Sequence, residues 1–373
     1  MKYYIIAGEA SGDLHGSNLI KELLRRDASA EFRFWGGDLM ANIAGTPVKH
    51  YKELAFMGFI EVVLNLRTIL KNISFCKKDI QKYKPDVVIF IDYPGFNLRV
   101  APAVKKMGIK VFYYISPSIW AWKEDRVHQI KKVVDRMFVI LPFEKAFYEK
   151  YNYQVDYVGH PLLDAIEKRD TSEERNQALR AEMQLTEAPV ILLLPGSRKQ
   201  EIITILPIML EQVNHFPDHQ FVIGAAPGID FELFEKAIEN HKQVKIISNR
   251  TYDLLQIAKA AMVTSGTATL EAALFKVPEV VCYKGSFLSY QIAKRLVKVK
   301  YISLVNLILN REVVKELIQN DLNSDLLKAE LGKLLHKEEY RSEMQANFES
   351  LIELLGDGGA SGRLAQLMIE DLS

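Results

Sequence analysis

Short apolar runs, several nearly unbroken in Val, Ile, Leu and Phe, recur along this chain with longer amphipathic segments between them. They are YYIIA (3–7), FRFWG (32–36), VVIFI (87–91), VFYYI (111–115) and MFVIL (137–141), then VILLL (190–194), QFVIG (220–224), VKIIS (244–248), AMVTS (261–265) and EVVCY (279–283). A strand wet on one face alternates apolar with polar. An unbroken run has both faces covered, the habit of parallel sheets between helices. Helical spacing fills the gaps, for example at 17–26, 64–82 and 254–259. This βαβα order predicts an α/β fold with doubly wound parallel sheets.

A charged stretch without strand character, DAIEKRDTSEERNQALRAEMQLTEAP (164–189), splits the runs into two sets, each large enough for its own sheet. The length suits two domains, which we place at 1–168 and 169–355. Residues 312–355 read as helical with few β runs. The tail, 356–373, opens with GDGGASG, a flexible hinge. It continues as a short amphipathic helix, packed back on the first domain or exchanged between two copies.

Hydrophobic residues make up 49% and charged residues 25%, the balance of a globular protein, and the net charge of +1 gives no argument for nucleic acid. Cys76 and Cys282 are the only cysteines, which suits a reducing cytoplasm and offers neither a disulfide framework nor a zinc pattern. The start, MKYYIIAGEASGD, is no secretory signal, since its apolar run is short and Glu9 and Asp13 follow at once. No stretch has the roughly 20 apolar residues of a spanning helix, so contact with a membrane is expected at its surface.

Chemistry-bearing residues gather where strands end. LLLPGSRKQEI (192–202) turns at Pro195-Gly196 and sets Ser197, Arg198 and Lys199 at a helix start, with Ile202, Ile203 and Leu206 as candidate buried positions. Helix-start amides attract anions and Arg198 adds a fork suited to phosphate oxygens. The alternative is a plain turn with solvated cations. VTSGTATLEAAL (263–274) offers Ser265, Gly266 and Thr267 to a diphosphate and Glu271 to ribose hydroxyls, or is an ordinary N-cap followed by a helical acid. Two such corners in one half-chain point to a nucleotide diphosphate. In the first half, IIAGEASGDLHGSNL (5–19) carries Gly8, Gly12 and Gly16 but neither a G-x-G-x-x-G nor a Walker A pattern. Glu9 there repels phosphate, so the loop, with Ser11, Gly12 and His15, reads as facing sugar hydroxyls or the reacting centre.

VVIFIDYPGFN (87–97) ends an apolar strand in Asp92, a carboxylate at the mouth of the sheet. It is either a general base for a hydroxyl or a cap for a helix beginning near Asn97. In YYISPSIWAWKEDRV (113–127), Ser116, Trp120 and Trp122 sit beside Asp92 if the two strands are neighbours, packing a sugar, an acyl chain or the core. No two Asp are spaced by one residue, so a D-x-D metal site is not expected, and a leaving diphosphate is left to backbone dipoles, hydroxyls and Arg. Two segments mix large apolar residues with cations. One is 56–84, with Lys71, Lys77, Lys78, Lys82 and Lys84; the other is 287–309, with cations from Lys294 to Lys300. They are lipid-facing surfaces or core helices with solvated outer faces.

AGEASGDLHG, FMGFIEV (56–62), IDYPGFN, SPSIWAWKEDRV, VGHPLLD (158–164), LPGSRKQEI, TSGTATLEAAL and SLVNLILNREVVKELIQ (303–319), in that order, resemble the bacterial lipid A disaccharide synthase family. The resemblance implies a GT-B fold, two Rossmann-like domains facing across a cleft. It implies an inverting hexosyltransferase that joins UDP-2,3-diacylglucosamine to 2,3-diacylglucosamine 1-phosphate, giving the disaccharide 1-phosphate and UDP, with no cofactor and no metal. By analogy the second domain holds UDP through Gly196, Ser197, Arg198, Ser265, Gly266, Thr267 and Glu271. The first holds the lipid acceptor near Ser11 and Gly12, with Asp92, Glu9 or His15 as base. Asn306 lies in a family-like segment and is expected to approach the cleft. The setting is cytoplasmic, at the inner-leaflet surface, and the C-terminal segment permits a homodimer. Family members often carry a second acid where this chain has Gly95, and a proline where it has Val305. The rivals are another UDP-N-acetylglucosamine GT-B enzyme, a peptidoglycan glycosyltransferase or an epimerase, and a non-catalytic nucleotide-sugar or lipid binder.

Overall fold

The computed structural model describes residues 1–54, 65–166, 169–286, 290 and 299–372. FMGFIEV and most of 287–298 lie outside the described residues. The chain divides into two compact units, Met1–Asp164 with Leu355–Ser373, and Ala165–Leu354.

The first unit holds β1 (Lys2–Ala7), β2 (Glu31–Gly36), β3 (Lys49–His50), β4 (Val87–Ile91), β5 (Lys110–Tyr114), β6 (Arg136–Val139) and β7 (Asp156–Tyr157). All pair in parallel in the order β3-β2-β1-β4-β5-β6-β7. The second unit holds β8 (Val190–Leu194), β9 (Gln220–Ala225), β10 (Lys245–Ser248), β11 (Ala258–Thr264), β12 (Glu279–Tyr283) and β13 (Lys315–Ile318), parallel in the order β10-β9-β8-β11-β12-β13. β4 and β8 are buried at every residue, as unbroken apolar runs require. Each fully buried Val, Leu or Ile contributes roughly 1.5–3 kcal/mol.

The mismatches have simple causes. β3 and β7 have two residues each and no apolar run to announce them. β13, inside a stretch that reads as helical, is the edge strand KELI with only Leu317 buried, and its charges suit an unpaired edge. The helix expected to reach Lys259 stops at Ile257. β11 starts at Ala258 on poor strand formers, held to β8 across a register shift between Ala258 and Ala260. Ile203 is half exposed, while Ile202, Ile205 and Leu206 are buried. GDGGASG is no loose hinge. The Asp164 carboxylate accepts from the backbone N–H of Gly359, Ala360 and Ser361, capping the helix Ala360–Leu372. That helix sends Leu364, Ala365 and Met368 into one cluster with Leu19 and Leu23 of the helix Ala10–Arg26.

Strand order fixes where the first unit can bind. The helix after β1, Ala10–Arg26, packs on the face that carries Tyr3, Ile5 and Ala7. The helix after β4, Pro94–Lys106, packs on the opposite face, with Tyr4 and Ile6. The chain therefore leaves β1 and β4 in opposite directions and opens a crevice at the carboxyl edge, the topological switch point of a doubly wound sheet. β8 and β11 hold the same place in the second sheet.

Candidate functional site

β1 and β4 run in register to Ala7 and Ile91, so the residues that follow, Glu9 and Asp92, leave the sheet side by side. The turn after β4 is strained. Asp92 (φ 42°) and Tyr93 (φ 45°) are both left-handed, as is Ile115 (φ 63°) just past β5. Such a conformation costs about 1–3 kcal/mol and persists only where neighbours enforce it. Here the Asp92 amide donates to the Tyr114 carbonyl at 3.0 Å. The Asp92 carbonyl accepts from Asn97 Nδ2 at 2.7 Å and from the Tyr113 hydroxyl at 2.6 Å. Tyr93 lays its ring on Gly8, where a Cβ would stand 2.3 Å from ring carbon Cδ1, and stacks on Phe96. The helix begins at Pro94 rather than near Asn97, so Asp92 is not its cap. Burial, and then the Glu9 carboxylate, push Asp92 up to about 7, against the pull of the Tyr93 amide. A carboxylate in that range is a competent general base near neutral pH.

The other expected residues of this corner divide. Ser11 is exposed on the first turn of the helix, beside Glu9, its N-cap. Gly12 is not open to a ligand: it is buried, and a Cβ there would stand 3.1 Å from Ala7 Cβ, so it allows helix and strand to pack closely. His15 is not in a loop, because the helix starts at Ala10. It is buried against Tyr114, its Nδ1 has no partner among the described residues, and burial drives it down to about 4. That location does not suit a base for an exposed hydroxyl. Asp13 is spent on structure, accepting from the amides of Gly37, Leu39 and Met40. Gly95 faces open space, with nothing within 4 Å of an added Cβ.

In the second unit, β8 and β11 are neighbours with Leu194 beside Val263, so their turns leave the same edge together. Gly196 has φ 112°, and a Cβ there would stand 2.5 Å from Glu201 Oε2. That oxygen accepts from the Ser197 amide at 3.2 Å, and Glu201 Oε1 lies 3.3 Å from Arg198 Nη1. Arg198 is 61% exposed at the start of the helix Lys199–Leu210, its fork only partly engaged. Gly266 has φ 156° and nothing within 4 Å of an added Cβ, and Thr267 is exposed at the start of the helix Thr267–Leu274. Ser265 donates to the Ile302 carbonyl at 3.0 Å and keeps its lone pairs. Glu271 is half-buried, accepts from the Tyr252 hydroxyl at 2.9 Å, and is raised by burial.

Asn306 departs from expectation. It is fully buried and satisfied within the fold: Nδ2 donates to the Val314 carbonyl and Glu316, and Oδ1 accepts from the amides of Val313 and Val314. It ties the chain ahead of β13 and has no group left for a substrate. Among the described residues no three His, Cys, Asp or Glu side chains gather as a metal site. His215 and His219 have a four-residue spacing, but Phe216 and Pro217 end the turn between them, so they share no helix face.

The rim after β5 joins Ser116 and Trp120 to two groups that the sequence left unassigned, Tyr148 and Glu144. Ser116 is buried with its hydroxyl 2.6 Å from that of Tyr148. Trp120 donates to Glu144, a buried acid that also takes the amides of Ile140 and Leu141 and is raised by burial to about 7. The spacing in LPFE, an acid three residues into a Pro-initiated helix, was its available signal. Trp122 remains 42% exposed.

A family model described as lipid-A-disaccharide synthetase matches residues 3–365. Curated proteins called lipid-A-disaccharide synthase match along the same span. Those from Geobacter metallireducens and Geobacter sulfurreducens are each 39% identical over 99% of this chain and 96% of their own. One from Syntrophus aciditrophicus is 40% identical over 98% and 96%. This chain belongs to the lipid-A-disaccharide synthetase family. Membership makes it a hexosyltransferase of lipid A biosynthesis rather than an epimerase or a peptidoglycan enzyme. Solved structures similar in fold include a UDP-GlcNAc 2-epimerase from Neisseria meningitidis bound to UDP-GlcNAc (TM-score 0.71, 15% identity, 99% and 100% of the two chains). Another is the Methanocaldococcus jannaschii UDP-GlcNAc 2-epimerase with UDP-GlcNAc and UDP (0.68, 17%, 99% and 100%). At those identities the likeness speaks for the two-Rossmann GT-B architecture alone.

Proposed function

We propose that this family member transfers the diacylglucosaminyl group of UDP-2,3-diacylglucosamine to the 6-hydroxyl of 2,3-diacylglucosamine 1-phosphate, with inversion and without a metal. Asp92 removes the hydroxyl proton as the oxygen attacks the anomeric carbon in line, and UDP departs. Glu9 acts through its charge, keeping Asp92 basic enough for the task. Arg198, the 196–198 turn amides and the open turn at Ser265, Gly266 and Thr267 take up the charge of the leaving diphosphate, and Glu271 accepts from the ribose. The observation that carries the reading is Asp92 itself: a raised carboxylate on a strained turn, at the switch point, beside a second acid.

Acyl chains require an apolar surface. No described helix is long and apolar enough to cross a membrane. The helix Leu66–Tyr83 instead exposes Leu66, Leu70 and Phe75 together with Lys71, Lys78 and Lys82. Such a face suits peripheral attachment to anionic lipid, and a cytoplasmic protein would meet it at the inner leaflet. The helix Ala360–Leu372 is the segment that two copies would exchange in a homodimer.

The test is mass spectrometry of products from purified protein given both acylated sugars. One new disaccharide monophosphate, formed with stoichiometric UDP, is expected. UDP released without acceptor would instead favour epimerase-like chemistry, and no UDP at all a binder.

A further inference from the structure

The segment that follows β5 carries a pair of cations with no assigned task. β4 and β5 are paired through Ile91 and Tyr114, so the segment after β5 forms the wall beside the Asp92 turn. It makes one helical turn, Ile119–Trp122, then Lys123, and re-enters a helix at Arg126. The Gln129 side chain donates to the Leu98 carbonyl at 3.1 Å and ties that helix to the one following Asp92. Trp122 is exposed, with Lys123 Nζ at 4.5 Å and Arg126 Cζ at 5.4 Å from its ring centroid.

The acids nearby look elsewhere. Glu124 accepts from the Tyr151 hydroxyl at 2.8 Å, and the charge of Asp125 also acts on Tyr151. Among the described residues no carboxylate forms an ion pair with Lys123 or Arg126; both side chains lie against the indole. The Arg126 charge reaches the buried Tyr113 hydroxyl, the group that donates to the Asp92 carbonyl. Arg126 and Asp92 thus act on the same tyrosine with opposite sign.

We propose that Lys123 and Arg126, set on the face of Trp122, form the subsite for the phosphate monoester of the acceptor sugar. The assignment rests on the reading of Asp92 as the base for that sugar's hydroxyl. The chemistry matches in three respects. Two cations with no carboxylate partner among the described residues suit a dianionic phosphate, and guanidinium contributes a fork. Trp122, 42% exposed, adds apolar surface beside the two cations for the sugar. The 1-phosphate hangs from C1 and the 6-hydroxymethyl group from C5, the two carbons bonded to the ring oxygen, so base and phosphate clamp should stand near each other but not in contact.

The experiment compares the acceptor with its dephosphorylated analogue, 2,3-diacylglucosamine, in the wild type and in Lys123→Gln, Arg126→Gln and the double variant. Wild type should prefer the phosphorylated acceptor in kcat/KM. Each variant should lose about tenfold to a hundredfold toward it, mostly in KM, with little change toward the analogue and none in the KM of the UDP-sugar. Equal losses on both acceptors, or an undiminished preference in the double variant, would overturn the assignment. Should a variant turn over neither acceptor, equilibrium binding of the two yields the same ratio and decides the question in the same way. If wild type makes no disaccharide from either acceptor, the proposed reaction fails instead, which separates the two ideas.

Discussion

The two sheets place their loops at the same topological address and furnish it in opposite ways. At β1/β4 the corner carries two carboxylates, Glu9 and Asp92, the second on a turn where non-glycine residues are forced left-handed. At β8/β11 the left-handed positions belong to Gly196 and Gly266, and the side chains offered are hydroxyls and a guanidinium. Strand order decides where a ligand binds; the residues at the turn decide whether the site repels or attracts an anion. On the proposed reading, proton chemistry belongs to the first corner and anion binding to the second.

The strongest challenge to that division is Asp92→Asn. Loss of a general base lowers kcat by about a hundredfold to ten-thousandfold, with UDP affinity retained. Near wild-type turnover would abolish the contrast. Arg198→Gln should act in the other corner, raising the KM of the UDP-sugar by about tenfold to a hundredfold while leaving the acceptor's unchanged, as steady-state kinetics would read. Gly196→Ala sharpens the backbone half of the argument. The new Cβ meets Glu201, and the left-handed turn costs about 1–3 kcal/mol, so a lower Tm and weaker UDP binding by calorimetry are expected.

The smallest effect is a shift. Asp92 must be ionised to act, so kcat/KM should rise with pH through about 7. In Glu9→Gln the like charge is gone and the acid limb should move to lower pH; an unmoved limb would detach Glu9 from Asp92. The linked stability effect follows the same sign. Asp92 is held above its ordinary value in the folded protein, so its contribution is full below about pH 4 and declines as pH rises toward about 7.

What was legible in the sequence was whatever repeats. VVIFI and VILLL are buried along their whole length, and runs of that kind can be read as central strands. The positions of Asp92 and Arg198, just past the ends of β4 and β8, were legible for the same reason, since the end of a run marks the edge of the sheet. Asn306 and His15 were not. An asparagine that brackets a loop and one that binds a sugar use the same amide, and only the positions of Val313 and Val314 tell them apart. His15 depended on whether the chain after Gly8 was loop or helix, and Gly12 and Gly16 argued for loop although each serves close packing, Gly12 against Ala7 of β1 and Gly16 against Met40 of the helix Asp38–Ala44. Tyr113, which holds the Asp92 carbonyl, was hidden in an apolar run whose alternate side chains nothing distinguishes.

The Asp164 contact has a consequence for how the protein is made. Residues 165–354 are interposed between that carboxylate and the amides it holds, and Leu364, Ala365 and Met368 complete the packing of a helix that begins at residue 10. On the ribosome, the N-terminal sheet therefore emerges first and is finished last, its Leu19 and Leu23 surface uncovered through most of translation. A shortened chain that stops before Asp357 would leave that surface bare permanently, and aggregation, rather than slow turnover, is how its failure would show.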